Sequence, residues 1–242
     1  MKSTWFGDRR RYEFAKCIHD ADYSRMVWDT FGGFLTCASY ALRQGVHKLT
    51  TGELSEEMEE IVVKEQQRFK HPSRFADAMG ILTMALEERS YDFLGTYLGE
   101  MEMNDSKFKG QCFTPPALCE LMAGLTLDEQ EPKQGETLLL NEPACGGGAM
   151  VIAASEVLKG RGFYPWHYYW VAVDVDWRCF AMAYIQLTLL GIPANVIHGN
   201  SLSLEVHSEA VTFAGAMHPP KQKRAPAVAK VTKNSHHQPT LF

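Results

Sequence analysis

The sequence of 242 residues lacks the marks of several protein classes. Its six cysteines form no Cys-x-x-Cys pair, and a chain of this length needs no disulfides to hold a core, so they are predicted to be reduced thiols. No signal-peptide core follows the first residue, and the longest uncharged run, residues 179–197, is broken by Gln186, Gly191 and Pro193. These absences predict a cytoplasmic protein without a metal site or membrane span.

Acidic residues are also missing from the end of the sequence. From residue 210 onward there is no Asp or Glu, whereas Lys221, Lys223, Arg224, Lys230 and Lys233 are basic. Residues 221–242 are rich in Lys, Ala, Pro and Thr with little apolar patterning, which predicts a disordered basic tail. A tail of this charge predicts weak DNA binding that does not depend on base sequence.

The most informative stretch is residues 138–151. Three leucines, Leu138 to Leu140, predict a buried strand, residues 142–148 a tight turn, and Ala149 the start of a helix. A strand that enters a glycine turn and a helix forms a ligand crevice at the carboxyl end of a sheet. Gly146, Gly147 and Gly148 have no Cβ, so the backbone can approach a ligand closely. The spacing is not the Gly-x-Gly-x-x-Gly of dinucleotide-binding proteins.

The remaining pattern predicts an α/β fold with a helical amino-terminal part. Strands are predicted at about residues 137–141, 169–174, 195–198 and 211–217, and the second ends in Asp174, where doubly wound folds hold a ribose. Asp176 is expected to cap the helix that follows. We expect a helical domain over residues 1–105, a sheet domain over 106–220 and the tail over 221–242.

Several motifs resemble those of one enzyme family. Residues 142–148, Glu-Pro-Ala-Cys-Gly-Gly-Gly, resemble the Asp-Pro-Ala-Cys-Gly-Ser-Gly loop of amino-methyltransferases that use S-adenosylmethionine (AdoMet). Residues 110–115 resemble the Gly-Gln-Phe-Phe-Thr-Pro motif of N6-adenine DNA methyltransferases, in the branch of type I modification subunits. Residues 92–97 and the Gly-Asn-Ser-Leu of residues 199–202 are also similar to that branch. The resemblance spans about residues 92–202 and implies a Rossmann-like methyltransferase sheet.

The resemblance implies AdoMet as cofactor and assigns residues to it. The loop before the glycine turn would close over the methionine end, Asp174 would hold the ribose, and Asn200, where the family has an acid, would accept a hydrogen bond from the adenine amine through its carbonyl oxygen. The full expected set is Phe113, Thr114, Pro115, Glu142, Ala144, Gly146, Gly148, Asp174 and Asn200.

The sequence departs from the family at the catalytic motif. The family carries Asn-Pro-Pro-Phe on a fourth strand, where the amide and a carbonyl hold the amine of a flipped adenine. Here the expected place has His218, Pro219, Pro220 and Lys221, so an imidazole replaces the amide and a lysine the ring. These residues are either a degenerate catalytic motif or the start of a linker. The sheet is expected to be incomplete on its carboxyl-terminal side, because too few residues follow to supply three more strands.

Three functions fit this sequence. The first is a DNA adenine-N6 methyltransferase-like protein of plasmid, phage or restriction–modification type, whose activity the degenerate motif puts in question. The second is an inactive AdoMet-binding relative that acts as a regulator or assembly subunit. The third is a protein-glutamine methyltransferase, which shares an Asn-Pro-Pro-Tyr site. DNA is the expected partner, together with a specificity subunit or a subunit that completes the sheet.

Overall fold

A computed structural model gives the fold and describes residues 7–104, 114–127, 131–133 and 135–221. Helices precede a sheet that alternates with further helices, as the sequence predicts. The elements in chain order are α1 (Arg9–Ala21), α2 (Val27–Thr51), α3 (Glu56–Gln66), α4 (Ser73–Glu88), α5 (Phe93–Asn104), α6 (Pro116–Thr126), β1 (Leu138–Glu142), α7 (Ala149–Gly160), β2 (Tyr168–Asp174), α8 (Trp177–Leu189), β3 (Ala194–Asn200), β4 (Glu205–Val211) and α9 (Phe213–Met217).

The sheet has four strands in the order β1-β2-β3-β4. β1, β2 and β3 are parallel, and the chain crosses between them through α7 and α8. This alternation is that of a Rossmann-like sheet, so the predicted fold class is confirmed. The first three strands lie within two residues of their predicted bounds, because each is a short apolar run bounded by turn residues.

The predicted fourth strand at residues 211–217 is wrong. The strand lies earlier, at β4, and pairs antiparallel with β3, because four residues between them allow a tight return but no parallel crossover. Thr212 then caps α9 by accepting the N–H of Gly215 at 3.1 Å. A small-residue run such as Ala-Gly-Ala has low strand propensity, so the helix cap prevails.

One hydrophobic core joins the helical part to the sheet. Phe14 of α1 is fully buried, with its ring centroid 5.0–5.3 Å from those of Phe34, Phe93 and Tyr97. α8 is buried at every position from Cys179 to Leu187, since the sheet covers one side and α2 and α5 the other. Because one core runs through both parts, the domain boundaries expected near residues 105 and 220 stay predictions.

Apolar side chains remain exposed on β1 and on α6. Within the described ranges no strand pairs with the outer edge of β1. The prediction that Leu138 to Leu140 form a buried strand is therefore wrong: Leu139 is 44% exposed, and Leu138 and Leu140 are half-buried, because β1 lies at the edge of the sheet. On α6, four large apolar residues at helical spacing face solvent: Leu118, Leu121, Met122 and Leu125. No helix of the described residues is long and apolar enough to cross a bilayer.

Candidate functional site

Polar side chains from three parallel strands meet at one edge of the sheet. Glu142 ends β1, Asp174 ends β2 and Asn200 ends β3, and all three are half-buried. Because these strands run parallel, their carboxyl ends share that edge, and adjacent strands lie about 4.8 Å apart, so the row spans roughly 10 Å. The structure thus places the predicted residues of all three strands along one edge of the sheet, where the sequence predicts the ligand crevice.

Asp174 ties the glycine turn to β2. Its Oδ2 accepts the N–H of Gly146 at 2.8 Å, and its Oδ1 accepts the N–H of Asp176 at 2.9 Å. The N–H of Cys145 also reaches the carbonyl of Val173 in β2, at 2.9 Å. Asp176 caps α8 by accepting the N–H of Arg178 at 2.7 Å, as the sequence predicts. Asp174 is therefore a loop anchor with lone pairs still free to accept ligand hydroxyls.

The start of α7 offers hydrogen-bond donors to the crevice. Gly148 is its N-terminal cap, with φ at 100° and no side-chain cap, so no side chain occupies the N–H groups of the first turn. Ala144 is exposed on the turn, and its N–H donates to Oε1 of Glu142 at 3.2 Å. An anionic group, such as a carboxylate, suits these donors and the positive end of the helix dipole.

The three glycines serve different purposes. Gly146 and Gly148 adopt positive φ, at 53° and 100°, where side chains are disfavoured. Gly147 is needed for another reason, because a methyl group built on it would lie 2.6 Å from Oδ1 of Asp92 and 2.7 Å from Oδ2. At Gly147 the missing Cβ therefore makes room for a side chain of the protein, and the expectation that the turn admits a ligand stays a prediction.

Asp92 and Gln186 are site residues that the sequence analysis left without a role. Both are buried, and Nε2 of Gln186 donates to Oδ1 of Asp92 and to the carbonyl of Gly147, each at 2.8 Å. Burial raises the pKa of the Asp92 carboxyl, while its bonds from Gln186 and the Gly95 N–H act in the opposite direction. The sequence contains one signal for this pair: Gln186 is an amide side chain within the apolar run 179–197, and a buried polar group requires a hydrogen-bond partner.

Asn200 is placed as expected but its carbonyl oxygen is engaged. Oδ1 accepts the N–H of Leu202 at 2.9 Å and that of Ser203 at 3.2 Å, which uses both lone pairs. The expected acceptance of a hydrogen bond from an adenine amine through this oxygen therefore does not fit, and the NH₂ group of Asn200 remains as a donor.

Buried thiols surround the turn without being reactive. Burial raises the pKa of Cys145 well above its ordinary value, and nearby Asp174 raises it further. Burial likewise raises the pKa of Cys179. Both are free cysteines, and a thiol held in its neutral form is a poor nucleophile. These buried thiols do not suit covalent chemistry.

The loop before α6 is partly described. Phe113 lies outside the described residues, whereas Thr114 and Pro115 are exposed just before α6. The helix begins at Pro116 with Pro115 as its cap. α6 packs against α7, the helix that follows the glycine turn. Burial, and then the charge of Asp92, raise the pKa of Cys119 on α6.

The structure separates His218, Pro219 and Pro220 from this crevice. The ring of His218 packs 5.8 Å from that of Trp166, which precedes β2, and the N–H of Lys221 lies 3.4 Å from Oγ1 of Thr137, which precedes β1. These contacts lie at the amino ends of the strands, a strand length away, or about 16 Å for five residues. In this structure the tripeptide cannot serve as an acceptor beside the glycine turn.

A family model described as N-6 DNA Methylase matches residues 89–237, well over half of the sequence. The chain belongs to the N-6 DNA methylase family. The family match contains the glycine turn, Asp174 and Asn200, and the cofactor of this family is AdoMet. The family membership predicted from the motifs is therefore confirmed.

Two solved structures resemble the chain at low identity. One is a class I S-adenosylmethionine-dependent methyltransferase of Listeria monocytogenes, described as putative, with 16% identity and a TM-score of 0.41. The matched region covers 80% of this chain and 54% of the Listeria chain. The other is a type I restriction-modification methyltransferase subunit of Streptococcus thermophilus, with 14% identity and a TM-score of 0.37, covering 76% and 55%. The chain spans about half the length of these proteins. No curated protein shows significant similarity.

Proposed function

We propose that this chain is the AdoMet-binding part of a methyltransferase that acts on adenine N6 in DNA. The main support for the proposal is one hydrogen bond, in which the N–H of Gly146 in the glycine turn donates to Asp174 at 2.8 Å. Asp174 would hold the ribose, the first turn of α7 the methionine carboxylate, and the NH₂ of Asn200 the adenine ring. Phe113, Thr114 and Pro115 would close over the methionine end, with Glu142 and Ala144 lining the turn.

The binding proposal is tested by titration calorimetry with AdoMet. Gly146→Val should abolish the heat of binding, since Gly146 has φ at 53° in the turn itself. Gly162→Val is the matched control, because Gly162 also has positive φ, at 82°, but lies at the far end of α7 with open space around it. Both variants carry similar backbone strain, and only the first should lose the ligand. Equal affinity in the two variants would refute the site.

Catalysis by this chain alone is a separate matter, and the position of His218 favours a second candidate function. With the tripeptide at the other end of the sheet, no asparagine-proline pair of the described residues faces the crevice. An AdoMet-binding assembly or regulatory subunit fits this arrangement. Methyl transfer from tritiated AdoMet to adenine-containing DNA distinguishes the two. Turnover that His218→Ala leaves intact would support an enzyme whose acceptor lies elsewhere, and absence of turnover with retained AdoMet binding would support the subunit.

A protein partner is part of the proposal. The unpaired edge of β1 and the apolar residues of α6 are the surfaces that a further subunit would cover, because an open strand edge pairs readily with another strand. A sheet-completing or specificity subunit fits this surface.

DNA contact by residues 221–242 also belongs to the proposal, and it rests on their charge alone. Their removal should abolish weak binding that falls steeply with salt. Binding that survives the removal, or that ignores salt, would contradict this part.

A further inference from the structure

The buried pair of Asp92 and Gln186 links the helical part of the chain to the glycine turn. Gln186 lies in the last turn of α8, and its amide makes three hydrogen bonds, two of which use both N–H donors. Oε1 accepts the N–H of Leu94 at 2.9 Å, in the first turn of α5. Oδ1 of Asp92 accepts the N–H of Gly95 at 2.8 Å in the same turn. One end of the pair thus supplies acceptors for two helix-start N–H groups.

The other end of the pair acts on the turn that follows β1. Gln186 holds the carbonyl of Gly147, and the carboxylate of Asp92 occupies the space that a side chain on Gly147 would need. Asp174, at the end of β2, holds the N–H of Gly146. Two consecutive glycines therefore contact side chains from three parts of the chain: α8, the residue before α5, and β2.

We propose that Asp92 and Gln186 are positioning residues that keep the glycine turn in its ligand-binding conformation before AdoMet arrives. This inference rests on the proposed AdoMet binding and adds residues remote from the ligand to it. A turn of three glycines has a large conformational freedom to lose on binding, so fixing it beforehand strengthens binding without adding a contact. Neither side chain is assigned to the ligand itself.

Two variants of Asp92 test this positioning role: one removes the side chain, and the other keeps its shape but removes its charge. Asp92→Ala should weaken AdoMet binding about tenfold, because Gln186 and Gly95 lose their shared acceptor. Asp92→Asn should bind within about threefold of the native chain, since its carbonyl oxygen can accept both bonds and no bond to Oδ2 needs replacing. A charge acting directly on the cationic cofactor would instead make the two variants equally weak, and that result would overturn the positioning role.

A double-variant cycle tests the contact with Gly147. Gly147→Ala should weaken binding strongly in the native background, because its methyl group meets the Asp92 carboxylate. Added to Asp92→Ala, the same change should cost little further affinity, since the carboxylate is gone. Gly45→Ala is the control for the substitution itself, as Gly45 lies in a helix with open space around it. If Asp92→Ala does not fold, an unchanged affinity of Gly147→Ala relative to Gly45→Ala overturns the inference.

Affinity must be separated from general stability. Ser155→Ala removes another buried hydrogen bond, from Nε1 of Trp170 at 3.0 Å, away from the turn. It should lower the melting temperature while leaving AdoMet affinity unchanged. If it weakens binding as much as Asp92→Ala does, the effect is global and the inference is overturned. Binding by the native chain with equal binding by every variant overturns the inference alone, whereas no binding by the native chain refutes the proposed function and the inference together.

Discussion

Asp174→Ala tests the cofactor crevice most specifically by mutation. The change removes the acceptor of two N–H groups, those of Gly146 and Asp176, at 2.8 and 2.9 Å. Each lost bond costs roughly 0.5–1.5 kcal/mol, and because the carboxylate is only half-buried we expect a fall of about 1–2 kcal/mol in the free energy of unfolding. The loss of the ribose contact should weaken AdoMet binding by about 1–3 kcal/mol, which is roughly 5- to 150-fold.

The neighbouring acid provides the matched control. Asp176 lies two residues away and caps α8, so Asp176→Ala should cost about 1 kcal/mol of stability through loss of the cap. It should leave AdoMet affinity nearly unchanged. Urea unfolding without ligand gives the stability term for each variant, and titration calorimetry gives the affinity.

The two measurements together decide what Asp174 does. A stability loss with native affinity in Asp174→Ala would reduce the residue to a loop anchor without a ligand role. Equal loss of affinity in Asp174→Ala and Asp176→Ala would show that the effect spreads through the helix start. Either result would refute the assignment of the ribose to Asp174.

Three further predictions concern the rest of the chain. Burial, and then the neighbouring His207, lower the pKa of His198, so the folded state binds a proton less readily than the unfolded chain does. The free energy of unfolding should therefore fall as the pH drops below about 6.5. His198→Gln should reduce this fall in thermal melts between about pH 7 and 5. Leu121→Glu with Leu125→Glu should change the free energy of unfolding in urea by less than about 0.5 kcal/mol per site, because both side chains are exposed; a large stability loss would contradict their exposure. Phe14→Ala should cost about 3–5 kcal/mol in urea unfolding, since its ring is fully buried, and a loss under 1 kcal/mol would contradict the shared core.

The sequence predicts the parallel part of the sheet well for a physical reason. Leu138–Glu142 and Tyr168–Asp174 are short apolar runs that end in polar residues, and turn chemistry bounds them on both sides. The glycine turn, Asp174 and the cap at Asp176 follow from local rules that the structure obeys. Expectations of this kind depend on neighbouring residues only, and the positions of these elements and the cap at Asp176 are confirmed, while the ligand roles of the turn and of Asp174 stay predictions.

The errors arise where distant parts of the chain decide the outcome. Residues 211–217 have the apolar character of a strand, but the short return from β3 and the cap at Thr212 turn them into a strand end and a helix. The partnership of Asp92 with Gln186 joins residues 94 positions apart, and no local pattern pairs them. The position of His218 likewise depends on which edge of the sheet β4 joins, which spacing alone does not determine.

The location of AdoMet on the chain tests the central claim most directly. Amide chemical shifts of the ¹⁵N-labelled native protein, recorded during an AdoMet titration, report each residue separately. We predict the largest shifts at Gly146, Ala149 and Asp174, with Asn200 also affected, because these residues line the carboxyl edge of the sheet. Amides beside His218, at the other end of the strands, should stay unchanged. Shifts concentrated around His218, or no saturable shifts at all, would contradict the account.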